Sequence, residues 1–346
     1  DLSNLKINNL ALSSGAVYLY KYDSNTDAWT ETHYIKPQKN VVSDSDYDKG
    51  FGRSVAINDS LLVISAPNDN SKTGEAENSE EPNSGAVHTY AFDNDWRFLK
   101  TLKALNPRAG DQFGSSISLG DNSLAVGAPY QDSDFNKSIN TVDNGDTTDS
   151  EINNNNLVDS GAVYVFSYSQ PSNQIQLFNM IKASNSDEFD YFGSSVFIGD
   201  NRLFISAIGE DSGGKGLNRG KNENNTPDSG AVYAYTLNNN SNTWSESTYI
   251  KADDTQANAS FGRKIVYDRG KLFITSPLYD SDNYSNSGKL YLYDSEPNQI
   301  TQELLFQMKA NSSDELYGNE IAISDGFIAF TAQDLVIHNW YECIVE

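Results

Sequence analysis

A single cysteine, Cys343, excludes an internal disulfide framework and any zinc site built on paired thiolates. The three histidines, His33, His88 and His338, fall far apart, with no H-x-x-x-H spacing and no nearby Ser-His-Asp set. Each reads as a structural strand residue. There is no G-x-S-x-G elbow and no phosphate-binding glycine loop. No apolar run approaches 18 residues and no helical periodicity of useful length occurs, so membrane insertion is excluded from the expectations. Cations are scarce as well: 24 Lys and Arg stand against 48 Asp and Glu, a formal net charge of −24. A surface of that sign repels phosphate backbones and anionic lipids, so nucleic acid is not an expected partner. The surplus of acid has two readings, solubility or the binding of a divalent cation by hard oxygen ligands.

What the chain does contain is one pattern in several copies. Phe51-Gly52, Phe113-Gly114, Phe192-Gly193, Phe261-Gly262 and Tyr317-Gly318 each open a copy. The same short interval separates them from Ala66, Ala128, Ala207, Ser276 and Ala332, whereas the spacing between copies varies. A constant short interval inside a variable long one means a fixed hairpin carrying loops of free length. Within a copy the apolar period is two, which is that of strands. Strand A is of the type Phe192–Ile198 and strand B of the type Leu203–Ala207, joined by tight Asn/Asp/Gly turns such as Asn58-Asp59-Ser60. Strand C is an SGAVY run, starting at Gly15, Gly85, Gly161, Gly230 or Gly288. Strand D opens near Trp29, Trp96 or Trp244 and closes on Lys36, Lys103, Lys182, Lys251 or Lys309. Four-stranded units repeated about an axis predict an all-β propeller. Residues 1–346 form one domain, with copies opening near 1, 51, 113, 192, 261 and 317. Residues 1–35 are a degenerate copy without the FG step, which makes six four-stranded antiparallel blades.

The FG step, the GAP-like end of strand B (Gly127-Ala128-Pro129, Ser65-Ala66-Pro67) and the SGAVY strand together resemble FG-GAP repeats. That family includes the integrin α-subunit propeller and many bacterial surface proteins. The resemblance implies a propeller, with seven blades as the alternative count, and an extracellular, secreted or cell-surface setting. A chain opening at Asp1 without a signal peptide is then expected to be a processed or excised product. Integrin-like propellers hold calcium in A–B loops of the D-x-D-x-D-G type. Here those turns are as short as Gly199-Asp200-Asn201, so the family's calcium cage is missing.

Alternating strand direction places the B–C and D–A loops on one face and the A–B and C–D turns on the other. The long insertions are B–C loops: 68–83, 130–159, 209–228 and 278–286. Each begins with acid: Asp69, then Asp132 and Asp134, Glu210 and Asp211, Asp280 and Asp282. Either these seven ligate Ca²⁺, or each forms an Asx-turn with its own backbone. D–A loops add Asp44, Asp46, Asp48, Asp111, Asp187, Glu188, Asp190, Asp314 and Glu315 on the same side. Tyr130, Tyr279, Lys215, Arg219 and Lys221 are the candidate ligand-contacting residues of that face. The tryptophans read as core wedges, the closing lysines as charges guarding an outer edge, and Tyr18, Tyr90, Tyr164, Tyr233 and Tyr291 as sheet packing. The expected function is an extracellular binding or adhesion module for a cell-surface protein, matrix protein or glycan. Missing catalytic motifs argue against an enzyme; a carbohydrate-active propeller using loop carboxylates is the alternative, and a purely structural domain the third reading.

Overall fold

A computed structural model describes residues 15–37, 50–73, 81–135, 138–140, 154–170, 172–238, 243–296, 299–303, 316–324, 327–331 and 336–339. They form six sheets met in chain order. The first pairs β1 (Val17–Asp23) with β2 (Ala28–Ile35). The second holds β3 (Val55–Ile57), β4 (Leu61–Ala66), β5 (Ala86–Phe92) and β6 (Trp96–Leu102). The third holds β7 (Ser116–Leu119), β8 (Ser123–Ala128), β9 (Ser138–Asn140), β10 (Ala162–Ser169) and β11 (Gln174–Ile181). The fourth runs β12 (Phe192–Gly199), β13 (Arg202–Ala207), β14 (Ala231–Asn238), β15 (Thr243–Ile250). The fifth runs β16 (Ile265–Asp268), β17 (Lys271–Ser276), β18 (Lys289–Glu296), β19 (Gln299–Glu303). The sixth has β20 (Ile321–Ser324), β21 (Phe327–Phe330) and β22 (Val336–Asn339). Every pairing within these sheets is antiparallel. The expected all-β propeller of four-stranded blades is the observed architecture.

The A strands converge as their small residues require. β3, β7, β12, β16 and β20 neighbour one another in turn, and their serines bond across the gaps. Ser116 Oγ donates to the Gly193 carbonyl at 2.7 Å, Ile198 N–H to Ser118 Oγ at 3.0 Å, and Ile265 N–H to Ser195 Oγ at 3.2 Å. Between sheets the B and C strands alternate their apolar faces. Leu61 and Val63 pack with Phe166 and Tyr168 of the following sheet, while Leu62 and Ile64 pack with Val17 and Ile35 of the preceding one.

The two most repeated motifs turn out to bind each other. In four copies the aromatic N–H of the FG step donates to the serine carbonyl of the preceding SG step: Phe113 to Ser84 at 3.0 Å, Phe192 to Ser160 at 3.1 Å, Phe261 to Ser229 at 3.1 Å and Tyr317 to Ser287 at 3.4 Å. Upstream rungs lengthen each seam. Gln112, Tyr191, Ser260 and Leu316 donate to Asn83, Asp159, Asp228 and Asn286 at 3.0–3.1 Å. The SG glycine has to be glycine. At Gly161 φ is +82°, and a Cβ would stand 2.1 Å from the Phe192 carbonyl oxygen.

Loop 130–159 carries a strand of its own: β9 pairs with the outer strand β11 and covers its edge. Loop 209–228 does the same for β15 through Leu217 and Ile250. Trp29 is 69% exposed and stacks only on Tyr22, Trp96 is half-buried, and Trp244 alone is a buried wedge. Of the strand C tyrosines, Tyr90, Tyr164, Tyr233 and Tyr291 are buried as expected, whereas Tyr18 is exposed; in the second sheet His88 stands beside the FG aromatic where Tyr164 and Tyr233 stand elsewhere. The first residues of the degenerate copy, 1–14, with Lys309, Cys343, Asp44, Asp46, Asp48, Asp314, Glu315 and the tips of loops 68–83 and 130–159, lie outside the described residues.

Gly161→Ala is expected to destabilise the protein by more than about 2 kcal/mol, since it adds a clash to left-handed strain. Gly270→Ala, with φ +82° and nothing near its Cβ, is expected to cost only about 1 kcal/mol. Urea titration of both variants checks the contrast.

Candidate binding face and its buried clusters

Strand B ends and strand C begins on the face that also receives the D–A loops. Four residues beyond the last residue of strand B stand Asn70, Asp132, Asp211 and Asp280. Each side chain accepts the N–H of the residue two before the SG glycine: Asn83 at 2.9 Å, Asp159 at 2.8 Å, Asp228 at 2.8 Å and Asn286 at 2.7 Å. Those acceptors tie the two ends of each loop together. The donors all have positive φ, between 49° and 56°, which explains why Asn and Asp recur there.

One residue earlier, Asp69, Gln131 and Glu210 turn inward. Asp69 and Gln131 accept both the N–H and the hydroxyl of the serine two residues on, Ser71 and Ser133; Glu210 accepts the Ser212 N–H at 3.1 Å. The closing lysines meet them, so these lysines do not guard an edge. Lys182 and Lys251 are 1% and 0% exposed. Lys182 Nζ donates to Ser160 Oγ at 2.6 Å and Gln131 Oε1 at 3.1 Å; Lys251 Nζ donates to Ser229 Oγ at 2.6 Å. Lys103 lies 3.0 Å from Ser84 Oγ and 3.5 Å from Asp69. Each lysine thus pins the start of strand C beneath its own loop.

Buried acids from the D–A loops complete the clusters. Burial pushes the Asp111 carboxyl up to about 8 and the Lys182 ammonium down to about 7. Burial, and then the neighbouring Glu210, raise Asp190 in the same way, while burial lowers Lys251. Tyr hydroxyls of strand C reach back across the seams: Tyr164 to Asn106 at 3.0 Å, Tyr233 to Asn185 and Glu210 at 2.8 Å, and Tyr291 to Asp254 at 2.8 Å.

The seven acids proposed as calcium ligands therefore divide by role. Asp132, Asp211 and Asp280 close loop bases, Asp69 and Glu210 sit in buried serine and lysine or tyrosine contacts, and Asp134 is held by Asn154 at 2.6 Å and Asn156 at 2.8 Å. Asp282 is exposed at a loop tip. Among the described residues no three His, Cys, Asp or Glu side chains gather in a way that could hold a metal ion. Of the proposed ligand contacts, Lys215 and Arg219 are exposed. Lys221 is committed internally, paired with Glu246 and standing 5.2 Å over the Tyr233 ring. Tyr279 is half-buried under Lys289, whose Nζ is 4.9 Å from its ring. Tyr130 is 37% exposed and meets Tyr191 edge-on at 5.5 Å. Tyr191 and its neighbour Phe189 were missed in the sequence because they look like ordinary residues before an FG step.

Asp132→Ala is expected to cost about 1.5–3 kcal/mol, by orphaning the Asp159 N–H and removing a charged acceptor. Asp132→Asn keeps an acceptor and is expected to be near neutral; thermal unfolding distinguishes them. Asp111→Asn is expected to gain stability relative to the parent as pH rises from 4 to 7. The Asp111 carboxyl, raised from 3.8 to about 8, makes the folded parent hold an extra proton through that window. Its stabilising contribution is complete below the unfolded value and is lost as pH climbs, by up to about 1.4 kcal/mol per unit. Denaturant titrations at both ends of the window check the sign.

Comparison with known proteins bears on the architecture. Among curated proteins none matches in sequence. Solved structures that resemble the chain include a putative 6-phosphogluconolactonase from Bacteroides uniformis, 10% identical, TM-score 0.42, covering 93% of this chain and 87% of that one. Another is the periplasmic gluconolactonase of Pseudomonas aeruginosa, 13% identical, TM-score 0.47, covering 92% and 74%. Saccharomyces cerevisiae Sqt1 is a third, 11% identical, TM-score 0.39, covering 93% and 77%. The expectation that the chain is not an enzyme is corrected by these neighbours, since lactonases stand among them; the missing motifs exclude no activity. Their activities are not carried over to this chain, because likeness at this identity concerns the fold alone. Sequence similarity to a family is found in two stretches: residues 36–90 and 96–166 match the FG-GAP repeat. The chain carries FG-GAP repeats on an all-β propeller architecture.

Proposed function

We propose that this propeller is an extracellular binding module whose working surface is the face formed by the B–C and D–A loops, and whose ligand is a protein or a glycan. One observation carries this reading: the loops are held by clamps at their bases, where Asn70, Asp132, Asp211 and Asp280 each accept an N–H from the far end of the loop, while Lys215 and Arg219 stand exposed between such anchors. A loop anchored on a rigid scaffold loses less entropy on binding than a free one. The extracellular setting rests on the resemblance to surface proteins.

The opposite face offers less. Its A–B turns are satisfied internally, as at Asn58, whose Oδ1 accepts the Ser60 and Leu61 N–H groups at 3.0 and 2.9 Å. Loop 209–228 cannot simply be removed to test the idea, because Gly216 and Leu217 cover β15 and Lys221 pairs with Glu246. Exposed charges at its tip are the better target. Lys215→Glu with Arg219→Glu is expected to weaken binding at least about fivefold through a slower encounter and lost complementarity. Arg97→Glu, on the opposite side at the C–D turn, is expected to leave it unchanged. A screen against immobilised glycans and matrix proteins, run in chelator and in millimolar calcium, finds the ligand and measures any calcium dependence. Equal losses from both variants would place the working surface elsewhere.

A further inference from the structure

The repeats supply an internal comparison, and the fourth copy departs from it at one seam. Before each FG step the chain passes through the left-handed region. Three residues ahead of the aromatic stand Gly110 (φ 93°), Phe189 (φ 65°) and Asn258 (φ 60°). One residue ahead stand Gln112 (φ 51°), Tyr191 (φ 55°) and Ser260 (φ 51°). Gly and Asn adopt this backbone readily, whereas large aromatic side chains do so at a cost. Only at this seam do two aromatics occupy the pair of sites among the copies compared. A third departure makes room for them. Where the other loops have Asn68, Tyr130 and Leu278, the fourth copy has Gly209. A Cβ there would lie 2.0 Å from the Phe189 carbonyl oxygen and 2.9 Å from the Tyr191 ring.

The aromatics are not recruited as core. Phe189 is 48% exposed and Tyr130 37%, while Tyr191 is half-buried. The Tyr130 and Tyr191 rings meet at 69°, forming a corner with a flat floor and a wall. The residues against it are acids: the Tyr191 N–H donates to the Asp159 carbonyl at 3.0 Å, and Asp228 holds the equivalent place at the next seam, accepting the Ser260 N–H at 3.0 Å. Burial first, then Asp159, Tyr130 and Asp228, raise the Tyr191 hydroxyl. Strain with exposure does not by itself single out this seam, since Leu316 (φ 52°, 39% exposed) holds the place of Tyr191 in the last copy; the pairing of the Tyr130 and Tyr191 rings does.

We propose that this corner binds an amino sugar, with the apolar face of the pyranose on the aromatic floor and its ammonium beside Asp159 and Asp228. The proposal rests on the loop face being the working surface. Charge complementarity selects a cation, and a two-walled aromatic corner suits a compact flat ring better than an extended chain.

The probe is a β-1,4-linked glucosamine tetramer, titrated by calorimetry into the full chain at a pH where its amine is charged. Tyr191→Ser and Tyr130→Asn install the residues that sibling copies carry at Ser260 and Asn68. Each is expected to weaken binding at least tenfold, and with Tyr191→Ser the melting temperature stays equal or rises, since strain is relieved. The N-acetylated tetramer is expected to bind at least tenfold more weakly than the free amine. Unchanged affinity in both variants, equal affinity for the acetylated sugar, or a marked fall in melting temperature would overturn the proposal. So would an arginine-containing peptide that displaces the tetramer at lower concentration than the tetramer itself requires. If the tetramer does not bind at all, the corner is refuted, whereas the loop face is judged separately by the Lys215 and Arg219 reversal.

Discussion

Sheet joins sheet in this molecule through a few backbone hydrogen bonds between the FG step of one copy and the SG step before it. A sheet alone would leave both apolar faces wet, so every blade depends on its neighbours being held at the right distance. The seam does this with main-chain groups, whose geometry does not vary with side chain. It also sets the demand for glycine at Gly85, Gly161 and Gly230, where φ is near +80° and the next chain passes at contact distance. The serine of the SG step serves twice: its carbonyl takes the seam bond and its hydroxyl accepts from the buried lysine at Ser84, Ser160 and Ser229.

From that seam follows the character of the loop face. The lysine, the inward residue of the B–C loop and the D–A acid meet directly above it, in surroundings dry enough to push Asp111 and Lys182 toward their neutral forms. Such clusters are costly when broken, because removing one member leaves another buried without compensation. Their repetition in successive copies, each in hydrogen bonds to the loop base, assigns them a positioning role. Within the clamp the residues vary only among hydrogen-bond acceptors, as Asp69, Gln131 and Glu210 do; outside it stand the tip charges of Lys215 and Arg219 and the aromatic corner of the fourth copy. A repeat fold separates constant from variable in this way, and the variable part is where copies differ in what they can touch.

Much of this was legible from residue order. Strand periodicity, the FG and SGAVY spacing and the Asn/Asp turns define four-stranded units, because alternation and turn chemistry are local properties. The loop lengths foretold which face is elaborated. The closing lysines were misread for a physical reason. A charge at a strand end looks solvated until the partner that accepts its hydrogen bonds is known, and Ser160 and Gln131 lie far away in sequence. The D-x-D stretches were equally ambiguous. A carboxylate two residues from another suits a cation or a backbone N–H, and only the folded loop shows that Asp132 faces the Asp159 N–H.

The sequence by itself determined the repeat and the strand order within each copy, since these depend on near-neighbour spacing. Tertiary structure alone decided that FG docks on SG, that Lys182 and Lys251 are buried, and that β9 covers an edge. It also decided that Phe189 and Tyr191 stand in left-handed backbone and that the Tyr191 ring meets Tyr130. Each of these facts joins residues from different copies or from opposite ends of a long loop. Their proximity is set by how twisted sheets pack around an axis, which no local pattern encodes.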